Sequence, residues 1–230
     1  MNEKRPYNKI AFANTPNLSK QKKILYAYTF FLSVIILIVI TYQVFYKKNN
    51  TFDYWAFNVI STYVTNARTE VILFFTILGS HKFLIPAWFA LAFLYYFLYK
   101  EKLGAAKILS IGIFNLIIMF TLKFLFNRPR PEMPLLSQVS GLSFPSGHAF
   151  MGFTFFSIII YFVHRDIKNL FIKYALVLVL VFTIIMIGFS RIYLRLHYTT
   201  DVIAGYCFGV LSFLFFYYIQ NILHFKINSP

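Results

Sequence analysis

The sequence predicts an all-α fold, an integral membrane bundle of six transmembrane helices with an interfacial helix between the first and second spans. Three observations carry this expectation. Of 230 residues, 59% are hydrophobic, 21% aromatic and only 13% charged, whereas about a quarter of an ordinary soluble domain is charged. Six stretches are apolar enough to cross hydrocarbon, at about 24–46, 83–99, 104–124, 149–164, 171–189 and 202–223. Lys and Arg are also distributed unevenly over the segments that join them. A formal charge of +15 on a soluble chain would point to nucleic acid, but on a chain this apolar it points to a lipid bilayer, and no nucleic-acid partner is expected.

Residues 1–23 form a basic N-terminal segment. The apolar run from Ile24 to Tyr46 is longer than the core of a signal peptide and lacks a small-x-small cleavage site, so it reads as a retained first span. After it, Phe52, Trp55, Ala56, Val59, Ile60, Tyr63 and Val64 recur at helical spacing while Asn58, Ser61, Thr62, Thr65 and Asn66 fall mostly opposite. That pattern predicts a helix lying flat on the outer surface, with a packed loop helix as the alternative. Residues 71–80 are apolar but too few to cross.

The second and fourth spans are short against the roughly twenty residues that hydrocarbon requires. Lys82 and Lys100 bracket one, His148 and His164 the other, and such side chains reach toward the interface. The third span must end near Phe126 or Asn127, because Pro129 and Pro131 cannot sit inside a helix. A short tail, 224–230, follows the sixth. With no repeat and no Pro/Gly-rich linker, residues 24–223 read as one domain. The single cysteine, Cys207, excludes an internal disulfide and reads as a small buried hydrophobe.

With the N-terminus inside, thirteen Lys and Arg fall on inner segments and nine outside. Five of the nine belong to unusual polar junctions, leaving Lys47, Lys48, Arg68 and Lys82 as ordinary outer-loop charges. Thirteen against four follows the positive-inside rule. Both termini are therefore expected in the cytoplasm of a cell whose inner membrane holds the chain, with the junctions on the outer face.

Those junctions carry the chemistry. At the end of span three, Lys123 is followed by Asn127-Arg128-Pro129-Arg130-Pro131, which offers Lys123 and Arg130 to an anion. Before span four stands Phe144-Pro145-Ser146-Gly147-His148. Serine there is an N-cap, the free N–H groups of the first turn form an anion site, and Gly147 lets a ligand approach the backbone. Between spans five and six the chain reads Ser190-Arg191-Ile192-Tyr193-Leu194-Arg195-Leu196-His197-Tyr198-Thr199-Thr200-Asp201. If span six starts early, His197 and Asp201 are i and i+4 on one helical face, and the carboxylate fixes one ring nitrogen while the other keeps its lone pair free.

In a six-span chain all three junctions meet the same water layer. Together they supply three cations, a helix N-terminus, two histidines and an orienting carboxylate, the inventory of phosphoryl transfer. Acidic residues number seven without a cluster, so neither a metal site nor another cofactor is expected.

These residues resemble the type 2 phosphatidic acid phosphatase (PAP2) superfamily, which includes the haloperoxidases. Its signature is Lys-x6-Arg-Pro, Pro-Ser-Gly-His and Ser-Arg-x5-His-x3-Asp, matched here by Lys123 to Arg130-Pro131, Pro145 to His148, and Ser190-Arg191 to His197 and Asp201. The intervals between the motifs are 13 and 41 residues, and three linked motifs are far more specific than one. Asn127-Arg128-Pro129 and Ile192-Tyr193-Leu194 look like the bacterial membrane branch.

The resemblance implies that His197 attacks phosphorus, that Asp201 holds its ring, and that His148 protonates the leaving oxygen and then activates water. It implies that Lys123, Arg130, Arg191, Ser146 and Gly147 hold the phosphoryl oxygens, without metal. Arg128, Glu132, Tyr193 and Arg195 are candidates for substrate selectivity. The implied substrate is a lipid phosphate or diphosphate: phosphatidate, phosphatidylglycerophosphate, undecaprenyl diphosphate or lipid A. A lipid phosphotransferase would use the same residues. A transporter or scaffold would place its ionisable groups along a midplane path, and here they gather at one face. Oligomeric state is not legible.

Overall fold

The computed structural model describes residues 20–132, 134–135 and 140–227, with side chains through residue 218. The expected inner segment 1–23 and tail 224–230 lie largely outside these residues. Eight α-helices follow in order: α1 (Lys20–Thr41), α2 (Thr51–Ser61), α3 (Asn66–Leu78), α4 (His81–Tyr99), α5 (Lys102–Phe126), α6 (Gly147–Asp166), α7 (Leu170–Tyr193) and α8 (Thr199–Ile227). A π-helical turn, Tyr42–Tyr46, extends α1. Among the described residues six helices (extended α1, then α4 to α8) are long and apolar enough to cross a membrane, and the six-helix bundle is as expected.

The two short spans gain their length from polar ends. The second runs from His81 because Ser80 caps it, its hydroxyl accepting the Phe83 N–H. The fourth runs from Gly147 to Asp166 and so takes in the whole Gly-His start. The third stops as the prolines require: Asn127 adopts a left-handed conformation (φ 42°) and its N–H closes on the Lys123 carbonyl.

Between the first two spans the structure corrects the sequence reading. Two helices stand there instead of one, because Thr65 caps a second start, its hydroxyl facing the Arg68 N–H at 3.4 Å, and the polar turn 66–70 joins the apolar run that alone looked too short. The apolar stripe of α2 also divides. Ala56 is buried, whereas Phe52, Trp55, Val59 and Tyr63 are exposed, and the residues that pack inward are Asp53, Ala56 and Phe57.

Helix α6 forms the centre, packed on α7 and α8; α1 lies on α8, α4 on α5, and α3 on α7. The main core joins Trp88 and Tyr95 of α4, Ile108 and Ile111 of α5, Phe155 and Ile158 of α6, and Ile184 and Ile187 of α7. Outward-facing Phe124 and Phe171 are more than four-fifths exposed, as suits a bundle whose solvent is hydrocarbon. Close approach depends on small residues. A Cβ on Gly205 of α8 would meet the Ser146 carbonyl at 2.8 Å and Ala149 Cβ at 3.0 Å, so α8 lies directly against the start of α6.

Candidate active site

The first junction crosses over the second. Lys123, in the last turn of α5, donates from Nζ to the Leu142 carbonyl at 2.6 Å. Arg130, on the extended proline segment, donates from Nε to Gly141 O (3.1 Å) and from Nη1 to Leu196 O (2.8 Å). The Ser143 N–H donates to Arg128 O at 2.8 Å. Lys123 and Arg130 are thus both tied by backbone carbonyls to the chain that leads into α6, and Arg130 also to the turn that carries His197.

Phe144 anchors that chain. It is fully buried between Phe45 and Phe126 and precedes a cis peptide to Pro145. Ser146 then occupies the N-cap of α6, as expected, but its hydroxyl makes no cap hydrogen bond. Its Oγ is buried without a partner, while its N–H donates to the Asp201 carbonyl at 3.0 Å. Gly147 serves packing: a Cβ there would lie 2.6 Å from Met119 Sδ on α5. His148 is half-buried, and a Cβ on Gly79 would come within 3.2 Å of it.

At the third junction the sequence reading is corrected in one respect. Helix α8 begins at Thr199, so His197 is held on the preceding turn and shares no helical face with Asp201. The Arg191 carbonyl accepts the N–H groups of Leu196 (3.0 Å) and His197 (3.2 Å), and Arg195 adopts φ 52° to make the bend. The pair still meets: His197 Nδ1 is 3.6 Å from Asp201 Oδ2. Ser143 Oγ stands between them, 2.5 Å from Asp201 Oδ2 and 3.4 Å from His197 Nδ1. Nδ1 thus faces two oxygens and Nε2 faces Arg130 Nη1 at 3.5 Å, which favours the tautomer with its proton on Nδ1 and its lone pair on Nε2.

Asp201 is fully buried and saturated. Oδ1 accepts Arg128 Nη1 (2.6 Å), and Oδ2 accepts Ser143 Oγ and the Tyr198 N–H (2.9 Å). Arg191 is buried as well, with Nη1 on Thr76 Oγ1 at 2.5 Å and Nε without a partner. Burial, reinforced by Arg191, Arg130 and Lys123, holds the His197 imidazole well below its usual range, so it is neutral. Burial also lowers Arg130.

The charges of Lys123, Arg130 and Arg191 thus bear on His197, which lies on the turn between two spans. Seven of the eight residues expected to react with or hold phosphate have side chains, and Gly147 has backbone, at one end of the bundle.

The four selectivity candidates do not share one surface. Arg128 is buried in ion pairs with Asp53 and Asp201 and lies over the Tyr198 ring, so it is turned inward behind Asp201 and does not face outward as a selector would. Tyr193 is buried, its hydroxyl 3.1 Å from Thr69 Oγ1 and 3.3 Å from the Thr65 N–H. It clamps α7 to α3. Glu132 is exposed and Arg195 half-buried on their loops. Ser143, Thr76 and Asp53 were not singled out from sequence. For Asp53 a signal existed: an acid among Phe52, Tyr54 and Trp55 in a chain with seven acids. Among the described residues no three His, Cys, Asp or Glu side chains group as a metal site would.

Comparison with known proteins bears on the family and the fold. The family model of the PAP2 superfamily matches residues 103–224. Phosphatidylglycerophosphatase B of Bacillus subtilis (strain 168) is 32% identical over 145 residues, 63% of this chain and 71% of that protein. The crystal structure of a transmembrane PAP2-type phosphatidylglycerolphosphate phosphatase from Bacillus subtilis superposes with a TM-score of 0.77 at 23% identity, covering 85% of this chain and 98% of the other. That likeness establishes the shared fold.

Proposed function

The chain belongs to the PAP2 superfamily, and from that premise we propose that it is a membrane lipid phosphatase, hydrolysing a phosphate monoester or diphosphate of a lipid through a phosphohistidine at His197. The observation that carries this is a neutral imidazole whose Nε2 faces Arg130 Nη1 at 3.5 Å and whose backbone N–H is held by the Arg191 carbonyl. The charges of Arg191, Arg130 and Lys123 bear on that ring, and the Ser146 hydroxyl and Arg191 Nε are buried with no protein partner. A buried donor without a partner costs stability unless a ligand completes it.

Charge supports an anion of two charges. Arg128 and Asp53 cancel, and Asp201 offsets one of the three remaining cations, leaving a cradle of about +2 that complements a phosphoryl dianion. Preorganised donors of this kind stabilise charge on the nonbridging oxygens as the transition state develops.

In the reaction, His148 takes up a proton from solvent as the phosphoryl dianion binds beside it; the Nε2 lone pair of His197 then forms a bond to phosphorus while the bond to the lipid oxygen breaks, and His148 gives that oxygen its proton. His148, now neutral, takes a proton from water; the water oxygen bonds to phosphorus and the phosphorus–nitrogen bond breaks, releasing phosphate and restoring both imidazoles. Asp201 retains the Nδ1 proton on its side throughout. No metal is required. The name of the Bacillus subtilis relative favours a glycerophospholipid monophosphate among the substrates.

The positive-inside distribution supports termini in the cytoplasm and a site at the outer face of the cell membrane, and the absence of a linker in the sequence supports one domain over residues 24–223. The exposed Phe52 and Trp55 of α2, and Tyr63 in the turn after it, then lie at headgroup level, where aromatic side chains collect. The test is phosphate release from purified phosphatidate, phosphatidylglycerophosphate and polyprenyl diphosphates in detergent with EDTA present. Acid-quenched enzyme should retain label from 32P-labelled substrate, and His197→Ala should retain none. Release that requires added magnesium, or label retained by His197→Ala, would overturn the reading.

A further inference from the structure

Two of the seven acidic residues, Asp53 and Asp201, are fully buried on one guanidinium. Arg128 Nη2 donates to Asp53 Oδ2 at 2.9 Å and Nη1 to Asp201 Oδ1 at 2.6 Å. Asp53 holds the start of α8 as well: its Oδ1 accepts the Thr200 N–H at 2.9 Å and its Oδ2 the Thr200 hydroxyl at 2.8 Å. Asn50 Oδ1 accepts Arg128 Nη2 at 2.7 Å, and the guanidinium carbon sits 3.9 Å from the Tyr198 ring centroid. A planar fork with donors on two sides fits this bridging task, and an ammonium does not.

The consequence concerns the neighbour. Arg128 takes one oxygen of Asp201, which turns the other toward Ser143 and His197. Asp53 in turn fixes Arg128 from the opposite side and anchors Thr200, next in sequence to Asp201. We propose that Asp53 and Arg128 are positioning residues for the reaction: their buried pair sets the Asp201 carboxylate, and through it the His197 ring, so the short helix α2 between the first two spans is part of the active site. The inference rests on the phosphatase reading above. It assigns Arg128 a role in place of the selectivity expected from sequence.

The test uses the full chain in detergent with dioleoyl phosphatidate and farnesyl diphosphate as probes, following whichever the wild type hydrolyses faster. Asp53→Asn keeps the shape of the side chain and removes its charge. It should lower kcat roughly 10- to 100-fold, the usual cost of losing an outer-shell partner, with KM within about twofold because nothing that touches phosphate has changed. Arg128→Lys keeps the charge but loses the bridging fork, and should slow turnover about tenfold or more.

The decisive measurement repeats both changes in an Asp201→Asn background. If the pair acts through Asp201, it should cost less than about threefold further there, since groups acting as a unit are not additive. Wild-type kcat in Asp53→Asn, or an undiminished loss in the Asp201→Asn background, would overturn the inference while leaving the phosphatase reading intact. Aggregation of both variants would assign the pair to folding and overturn it too. Absence of phosphate release by the wild type from either probe would instead remove the reading on which it rests.

Discussion

The Ser143 hydroxyl donates to Asp201 Oδ2 at 2.5 Å, the same carboxylate oxygen that lies 3.6 Å from His197 Nδ1. The hydroxyl is therefore interposed, holding the oxygen in line and offering Nδ1–H a second acceptor at 3.4 Å. Ser143→Ala should lower kcat about tenfold with KM little changed, because it loosens the ring without touching phosphate. Steady-state kinetics on a lipid phosphate checks this. An equal rise in KM with unchanged kcat would assign Ser143 to binding.

Ser146 offers a sharper contrast. Its Oγ is buried and has no partner within the protein, so the folded chain bears the cost of desolvating it. Ser146→Ala should raise stability by up to about 1 kcal/mol while lowering kcat by roughly 10- to 100-fold, if the hydroxyl serves the bound phosphoryl group as proposed. Thermal unfolding and turnover of the same preparation measure both. A loss of stability would mean that the hydroxyl has a structural task.

The acid behaviour of His197 follows from its surroundings. Burial and the cations of Arg191, Arg130 and Lys123 hold its pKa below the usual value, so the nucleophile stays neutral in mild acid. The acid limb of kcat/KM belonging to the free enzyme should lie below about 6.5, once the ionisation of the substrate has been measured separately by 31P NMR. The sign for stability is the reverse. Below about 6.5 the unfolded chain binds a proton that the folded one refuses, so folding weakens as pH falls from there toward the lowered native value. In His197→Gln the drop in Tm between pH 7.5 and 5.5 should be smaller than in the wild type.

The residues proposed to touch phosphate stand out in the sequence because their spacing is short and their chemistry unusual for an apolar chain. Lys123, Arg130, Ser146, His148, Arg191 and His197 each lie within a motif at a helix end, and the sidedness of spans put the ends together. The residues behind them were not legible for a topological reason. Asp53 reaches Thr200 across 147 positions and Arg191 reaches Thr76 across 115, and no local pattern encodes such pairings. Arg128 misled by its place beside the motif: a cation in a proline segment looks outward, and only the buried acid of α2 turns it in. The start of α8 stays conditional in the sequence because no local residue fixes it; Asp53 accepts the Thr200 N–H and so supplies the first turn with a carboxylate from another helix.

The last prediction tests whether the helix ends must touch. Gly205 brings α8 so close to α6 that an added Cβ would stand 2.8 Å from the Ser146 carbonyl and 3.3 Å from the Phe150 nitrogen. Both are backbone atoms, which cannot swing aside as a side chain does. Gly205→Ala should push the start of α6 away from α8, at the level where the Ser146 N–H meets the Asp201 carbonyl. Overpacking of this kind costs about 1–3 kcal/mol of stability, and a displacement near 1 Å at the site costs about 100-fold in rate. Gly112 provides the comparison: a Cβ there meets only the Trp88 ring, at 3.0 Å, about 16 Å along α5 from Lys123. Gly112→Ala should lower Tm by a similar amount while leaving kcat within about threefold of wild type. If both variants lose stability and activity in the same proportion, turnover tracks folding alone and the contact between α6 and α8 has no separate part in the chemistry.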